Sequence, residues 1–177
     1  MKLILIRHTS VSVAPGICYG HTDVDLASTF IEEASMVKNK LKEYSFDKVY
    51  SSPLNRCKKL TKFCGFEDFE IDPRIIEMNF GDWEMKRFDE ITDPILQDWY
   101  KDYMNVIPTN GESAMQQRNR FANFISQLRC NLPDDSTVAL FTHGGILVHA
   151  LNIFTGKDYD ELFRAIPAYG SVIELNI

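Results

Sequence analysis

Near the start of the chain, the sequence Leu3-Ile4-Leu5-Ile6-Arg7-His8 passes from an apolar run directly into two basic side chains. Four consecutive apolar residues are typical of a strand that is buried on both faces at the centre of a parallel sheet. This strand then ends in a cation and an imidazole. Because open α/β sheets bind ligands at the carboxyl ends of their strands, we expect Arg7 and His8 to belong to a functional site.

A second strand with the same kind of ending is predicted far along the chain. The apolar run Val138–Thr142 leads directly into His143, Gly144 and Gly145. The two glycines are predicted to open a helix, whose first backbone N–H groups favour an anion. Two histidines at strand ends therefore predict one shared site for a negatively charged ligand.

The rest of the chain alternates between predicted strands and helices. Further strands are predicted at 48–50, 69–71 and 171–177, and helices at 30–44 (capped by Ser28), from Pro53 onward, at 85–104 (interrupted at Pro94), at 112–130 and at 145–154. This alternation predicts an α/β fold, a three-layer α/β/α sandwich with a mainly parallel central sheet. With no internal repeat or linker, residues 1–177 are expected to form one domain.

Composition limits the classes of partner. The net charge of −6 and the lack of a basic tract argue against nucleic acid and anionic membranes as partners. No apolar run approaches the ~20 residues of a membrane span. Four cysteines without C-x-x-C spacing are expected to be reduced thiols in a cytoplasmic protein. The oligomeric state stays open.

Arginines in two motifs suit a phosphate group. Arg56 ends the motif Ser51-Ser52-Pro53-Leu54-Asn55-Arg56, directly after the strand at 48–50, so its guanidinium can reach back toward Arg7. Guanidinium forks bind phosphate oxygens in pairs. A neutral imidazole such as His8 is a competent nucleophile toward phosphorus. These residue types together predict phosphoryl chemistry.

The proton donor for such a reaction is less narrowly defined by the sequence. A leaving alkoxide needs a carboxylic acid to protonate it, and Glu77 precedes a glycine turn from which it can project into a cleft. Asp82 and Glu84 remain alternatives for this role. The four histidines lack the spacing of a metal site, so no metal ion or other cofactor is expected.

Six motifs occur in order along residues 2–150. They are Arg7-His8, Tyr19-Gly20-His21-Thr22-Asp23-Val24-Asp25-Leu26, Ser51-Ser52-Pro53-Leu54-Asn55-Arg56, Glu77-Met78-Asn79-Phe80-Gly81-Asp82-Trp83-Glu84, Asn110-Gly111-Glu112-Ser113 and Thr142-His143-Gly144-Gly145. Together they resemble the phosphoglycerate mutase-like branch of the histidine phosphatase superfamily. The resemblance implies a phosphoglycerate mutase-like fold, a phosphohistidine at His8, phosphate clamping by Arg7, Arg56 and His143, and proton donation by Glu77.

Within that superfamily, the segments at 19–23 and 80–84 resemble those of alpha-ribazole phosphatases of cobalamin biosynthesis. This implies a metal-independent phosphomonoesterase acting on a small phosphorylated metabolite, with alpha-ribazole 5′-phosphate the favoured substrate. Phosphoglycerate mutase-type phosphotransfer and a non-catalytic phosphate-binding adaptor on the same fold are the alternatives.

Substrate contacts are expected from residues around these motifs. Thr9 replaces the glycine usual in the family, and Ala14 replaces an asparagine; the Thr9 hydroxyl is a candidate partner for a phosphate oxygen. The full expected set of substrate-binding residues is Arg7, Thr9, Tyr19, Gly20, His21, Arg56 and Gly144. His149 is expected to have a core or surface role. The aromatic residues Trp83, Phe88, Trp99 and Tyr100 are expected to pack rather than to form a platform for a nucleotide, with stacking of Trp83 on a ring as the alternative.

Overall fold

The computed structural model describes residues 1–177 and contains one five-stranded sheet. Its strands are β1 (Lys2–Arg7), β2 (Lys48–Ser51), β3 (Glu70–Ile71), β4 (Thr137–Thr142) and β5 (Val172–Asn176). The strand order is β3-β2-β4-β1-β5. The first four strands run parallel, and only β5 is antiparallel to its neighbour β1.

Six α-helices surround the sheet. They are α1 (Phe30–Leu41), α2 (Asn55–Phe63), α3 (Leu96–Lys101), α4 (Ala114–Asn131), α5 (Gly144–Thr155) and α6 (Tyr159–Arg164). Short 3₁₀ turns lie at Pro73–Ile75, Gly81–Trp83 and Phe88–Glu90. None of these helices has the combined length and apolar content that crossing a membrane would need.

The apolar run in β1 is explained by its position between two cores. Leu3 and Leu5 pack into a core of 13 buried residues that includes residues of α4 and α5. Ile4 and Ile6, which point to the opposite face, pack into a core of 11 buried residues that includes residues of α1 and α2. The predicted α/β/α sandwich with a mainly parallel sheet is confirmed.

Strand register brings the two histidine-bearing strand ends together. Arg7 of β1 is paired with Thr142 of the neighbouring β4. The next residue on each strand is a histidine, and the backbone N–H of His8 donates to the carbonyl of Thr142 at 3.1 Å. The N–H of Ser52, just past β2, donates to the carbonyl of Phe141 at 2.9 Å. One edge of the sheet therefore carries segments from three strands.

The predicted helix at 85–104 is wrong over most of its length. Met85 has a positive φ of 64°, and only Leu96–Lys101 is α-helical. Instead of forming one helical face, Phe88, Ile91, Ile95 and Trp99 pack around a small separate core of Cys18, Trp83 and Leu96. Packing around the buried Trp83 side chain therefore overrides the helical spacing of these residues.

Smaller boundary predictions also differ from the structure. The residue that precedes α1 is Thr29 rather than Ser28, and the helix ends at Leu41. Helix α2 begins at Asn55, so Pro53 lies before the helix and not in its first turn. Helix α6 was not predicted, although Asp158 caps it by accepting hydrogen bonds from two backbone N–H groups.

Candidate active site

The His8 side chain lies directly after β1 and is only 2% exposed. Its Nδ1 is 2.7 Å from the carbonyl oxygen of Thr9. A carbonyl only accepts, so Nδ1 carries the proton and Nε2 keeps a lone pair. Burial, followed by the charge of Arg56 and to a lesser extent Arg7, lowers the pKa of His8 to about 3, although the Thr9 hydrogen bond opposes the shift. His8 is therefore neutral at physiological pH.

His143 lies beside His8 at the N-terminus of α5 and is fully buried. The two imidazole ring centroids are 5.2 Å apart. Nε2 of His143 is hydrogen-bonded to the Ser52 hydroxyl at 2.7 Å and lies 3.5 Å from the sulfur of Cys57. Burial is the largest cause that lowers the pKa of His143 well below its usual value, with Arg56 next. His143 is thus also held as a neutral imidazole.

The Arg56 guanidinium is fully buried and is held by backbone carbonyls. Nη1 donates to Thr22 at 2.9 Å and Nη2 donates to Gly20 at 2.6 Å. Gly20 has no room for a side chain, because a Cβ there would lie 1.7 Å from the carbonyl oxygen of Met78. The close approach of the backbone at Gly20 thus allows its carbonyl to orient Arg56.

Arg7 is held in position by residues of the loop that precedes β5. Its Nη1 donates to the carbonyl of Pro167, and its Cζ lies 4.1 Å from the centroid of the Tyr169 ring. A Cβ on Gly144 would lie 3.2 Å from Cζ of Arg7, so the guanidinium is close to the first residue of α5. The helix N-terminus and the Arg7 cation therefore contribute positive potential to the same region.

Neither arginine has a carboxylate partner within salt-bridge distance. In addition, Nε of Arg7, Nε of Arg56 and Oγ1 of Thr9 are buried polar atoms without a hydrogen-bond partner in the protein. Leaving such a group unsatisfied costs about 1–3 kcal/mol, and more when it is charged. Unpaired cations and donors around a neutral histidine are suited to a ligand that brings negative charge and oxygen acceptors.

Glu77 faces the same region from the loop that follows the 3₁₀ turn at Pro73–Ile75. Its Oε1 accepts from the Met78 backbone at 3.0 Å and from the Gln117 amide at 2.9 Å. Its Oε2 accepts from the backbone N–H of Gly145 at 3.3 Å. Glu77 thus contacts the start of α5, close to Gly144 and Arg7.

The two alternative proton donors are placed elsewhere. Asp82 is exposed and accepts a hydrogen bond from Asn110. Glu84 accepts from the backbone of His21, Thr22 and Phe80 and from the Thr22 hydroxyl. Burial alone would raise the pKa of Glu84, but these hydrogen bonds outweigh it and lower the pKa. Glu84 is therefore an ionised acceptor that organises the loop after β1.

A cavity of about 410 Å³ lies next to Arg7 and Glu77. Eleven of its 15 lining residues are hydrophobic, and Glu77 is the only carboxylate among them. Its aromatic lining residues are Tyr19, Phe80, Phe88, Trp99, Tyr103 and Phe163. The volume and lining of this cavity suit the apolar part of a small ligand beside the anion site.

Sequence comparison identifies the family. Residues 3–177 match the histidine phosphatase superfamily (branch 1). The chain belongs to this superfamily. It is 31% identical over 156 residues to the adenosylcobalamin/alpha-ribazole phosphatase of Salmonella typhimurium, covering 83% of this chain and 76% of the relative. The Escherichia coli protein of the same name is 28% identical over 185 residues, covering 99% and 91% of the two chains.

A solved structure extends the comparison to three dimensions. The alpha-ribazole phosphatase from Shigella flexneri superposes with a TM-score of 0.88 at 27% identity, covering 100% of this chain and 91% of that one. The superfamily membership and the phosphoglycerate mutase-like fold predicted from the motifs are therefore confirmed. The resemblance to alpha-ribazole phosphatases within the superfamily is confirmed as well.

The structure brings the superfamily motif residues His8, Arg7, Arg56 and His143 to one sheet edge, with Glu77 beside them. Tyr19 lines the cavity, and Gly20 holds Arg56. His21, however, is not a lining residue; its Nε2 lies 3.9 Å from a carboxylate oxygen of Glu112.

Several residues of the site were missed by sequence reasoning. Ser52 contacts His143, Tyr169 contacts Arg7, and Gln117 contacts Glu77. Ser52 belongs to the motif 51–56 and directly follows a strand, which was an available signal for its role. Phe88 and Trp99, expected to have only packing roles, line the cavity, whereas Trp83 is buried and its indole N–H donates to Asp93.

Proposed function

We propose that this single-domain protein is a phosphomonoesterase that hydrolyses a small phosphorylated metabolite through a phosphohistidine at His8. The observation that carries this proposal is the pair of guanidinium groups without carboxylate partners beside a neutral His8. Arg7 and Arg56 supply the positive charge that a phosphoryl transition state needs, so the proposed chemistry requires no metal ion. His143 and the Thr9 hydroxyl complete the proposed phosphate site.

In the first step, the lone pair on Nε2 of His8 attacks phosphorus. A bond forms between nitrogen and phosphorus, and the bond from phosphorus to the ester oxygen breaks. The leaving oxygen keeps that electron pair and takes a proton from the carboxylic acid of Glu77. The products of this step are the free alcohol, phosphohistidine and the Glu77 carboxylate.

In the second step, water attacks the phosphohistidine. Its oxygen forms a bond to phosphorus while the bond to Nε2 of His8 breaks, and the electron pair returns to the imidazole. The Glu77 carboxylate accepts the proton that the water loses, so the acid of the first step becomes the base of the second. Inorganic phosphate leaves, and the enzyme regains its starting protonation state.

We propose alpha-ribazole 5′-phosphate as the substrate, within cobalamin biosynthesis. Support comes from the similar proteins named for that compound and from the cavity next to Glu77. Alpha-ribazole is a benzimidazole nucleoside, and an aromatic bicyclic base suits a lining that includes Phe88 and Trp99. The 5′-phosphate would then reach the arginines while the base occupies the cavity.

A cytoplasmic location and the exclusion of nucleic acid are also part of the proposal. All four cysteines are free thiols, which suits a reducing compartment. The net charge of −6 disfavours binding to nucleic acid, so attraction of an anionic substrate has to come from the local cluster of Arg7 and Arg56.

A panel of phosphate esters tests the proposal. The wild-type protein and His8→Ala are compared for phosphate release from alpha-ribazole 5′-phosphate, phosphoserine and 3-phosphoglycerate. We expect efficient hydrolysis of alpha-ribazole 5′-phosphate by the wild type and none by His8→Ala. Undiminished turnover by the variant would rule out the nucleophile, and net phosphoryl transfer between phosphoglycerates without release would indicate a mutase.

A further inference from the structure

The amide of Gln117 connects Glu77 to a second buried histidine that has no part in the mechanism above. Gln117 lies on α4 and is 1% exposed, and His149 lies on α5 and is fully buried. Nε2 of Gln117 is 2.9 Å from Oε1 of Glu77, and Oε1 of Gln117 is 3.2 Å from Nε2 of His149. Nδ1 of His149 is 3.1 Å from the hydroxyl of Tyr159 on α6. These groups form one hydrogen-bonded chain across three helices.

The hydrogen-bond partners of Gln117 permit only one orientation of its side-chain amide. The NH₂ group of Gln117 faces two acceptors, Oε1 of Glu77 and, at 3.4 Å, the carbonyl oxygen of Ile76. A backbone carbonyl cannot donate, so the amide oxygen has to face His149. His149 then donates from Nε2 to Gln117 and accepts from the Tyr159 hydroxyl at Nδ1. Burial, then the charges of Arg120 and Arg118, lower the pKa of His149 to about 3, which keeps this ring neutral.

The amide orientation determines which oxygen of Glu77 carries the acidic proton. Oε1 already accepts from two N–H groups, those of Met78 and Gln117. A proton on Oε1 would face both of these donors. Oε2 has only the longer hydrogen bond of 3.3 Å from Gly145. The proton of the carboxylic acid therefore belongs on Oε2.

We infer that Gln117 is a positioning residue for Glu77, and that His149 fixes the orientation of the Gln117 amide. This inference rests on the proposed general-acid role of Glu77. Gln117 keeps Oε1 engaged, so that the protonated Oε2 presents its proton to the leaving oxygen. His149 contributes by opposing a rotation of the amide that would place the Gln117 oxygen against the Glu77 carboxylate.

The test compares two substrates of nearly the same shape whose leaving groups differ in acidity. Phenyl phosphate releases an alcohol with a pKa of about 10 and needs a proton donor, whereas p-nitrophenyl phosphate releases a far more acidic phenol and does not. The measured quantity is kcat/KM, which reports on steps through release of the leaving group. We expect Gln117→Leu to lower kcat/KM for phenyl phosphate about tenfold or more, and for p-nitrophenyl phosphate less than about threefold.

Two further variants serve as references. Gln127→Leu makes the same substitution at an exposed position of α4 and should leave kcat/KM unchanged for both substrates. Glu77→Gln should show the largest selective loss with phenyl phosphate. If Glu77→Gln is selective but Gln117→Leu is not, the inference about Gln117 is overturned while the proposed function stands. If Glu77→Gln is not selective, the general-acid role fails and the inference fails with it.

A double-mutant cycle separates positioning through Gln117 from general damage to the fold. His149→Phe should lower kcat/KM for phenyl phosphate in the wild-type background but add little in the Gln117→Leu background, because its effect passes through the amide. Tyr159→Phe, which removes only one hydroxyl, provides a milder second probe of the same chain. Retained p-nitrophenyl phosphatase activity shows that each variant is folded. Additive losses of kcat/KM would overturn the assigned role of His149.

Discussion

The phenol oxygens of Tyr19 and Tyr169 lie 2.6 Å apart, although the two residues are 150 positions apart in the chain. The Tyr169 ring lies 4.1 Å from Cζ of Arg7, and the Tyr19 ring lies 5.5 Å from Cζ of Arg56. One hydrogen bond thus connects the loop after β1 to the loop before β5. Each arginine of the site is in contact with one of the two rings.

Stacking of Tyr169 on Arg7 should contribute to phosphate binding by holding the guanidinium in place. We expect Tyr169→Ala to raise the inhibition constant of inorganic phosphate about two- to fivefold, which corresponds to a cation–π contact of about 0.5–1 kcal/mol. Tyr169→Phe keeps the ring and should change the inhibition constant less than about twofold. An equal rise of the inhibition constant in both variants would assign the effect to the hydrogen bond with Tyr19 instead.

Replacing Arg56 by lysine tests whether charge alone is sufficient. Lysine keeps the cation but lacks the planar fork that bonds Gly20 and Thr22 and leaves Nε free. We expect Arg56→Lys to lower kcat/KM about 10²–10³-fold, together with a lower melting temperature. The exposed Arg87→Lys is the control and should leave both quantities unchanged. A kcat/KM of Arg56→Lys within about threefold of wild type would argue against bidentate phosphate binding by the Arg56 guanidinium.

Gly145→Ala should separate stability from proton donation. A Cβ at this position would lie 2.5 Å from Oε1 of Glu77 and 2.7 Å from Oε1 of Gln117, so both side-chain ends have to move. Alanine is favoured over glycine within a helix by about 1 kcal/mol, which offsets part of this disturbance. We expect a melting temperature near that of wild type and a selective loss of kcat/KM with phenyl phosphate. Unchanged phenyl phosphate hydrolysis would contradict the placement of Glu77 as the acid.

Buried neutral histidines should make the fold sensitive to mild acid. The pKa values of His8 and His149 are about 3 in the folded protein, below the ordinary value of 6.5 that applies after unfolding. Because the unfolded chain binds more protons between these values, stability is complete above pH 6.5 and falls as the pH decreases toward 3. Each of these histidines then costs about 2 kcal/mol of unfolding free energy at pH 5.

Urea unfolding at several pH values between 5 and 7.5 measures this effect. His143 should add to it, since its pKa is also lowered by burial. In His149→Gln, the slope of the unfolding free energy against pH should be smaller, because up to one proton fewer is bound on unfolding. Equal stability of the wild-type protein at pH 5 and pH 7.5 would show that these histidines are not held neutral.

The sequence allowed the sheet-edge residues of the site to be predicted because their placement is local. Arg7 and His8 follow an apolar strand, and His143 follows another, so strand register alone brings them together. The carboxyl ends of parallel strands lie at the same edge of the sheet, so residues that directly follow such strands come together. The same reasoning identified Arg56, which comes shortly after β2.

The cavity walls and the hydrogen bonds that link Glu77, Gln117 and His149 could not be predicted in this way. Phe88 reaches the cavity from a 3₁₀ turn and Trp99 from the short helix α3. The course of this segment depends on packing around Trp83 and on a positive φ at Met85. Gln117 looks like an ordinary polar position of α4 until the loop carrying Glu77 is placed against that helix. Such contacts depend on tertiary packing, which has no signature in local spacing.

The most direct test of nucleophilic catalysis by His8 is to trap the covalent intermediate. The wild-type protein, His8→Ala and Glu77→Gln are mixed with ³²P-labelled p-nitrophenyl phosphate and quenched within milliseconds in strong base, in which phosphohistidine survives and phosphoserine does not. We expect label on the peptide that contains His8 in the wild type and in Glu77→Gln, and none in His8→Ala. Turnover by the wild type without labelled His8, or label on another histidine such as His143, would contradict a phosphohistidine at His8.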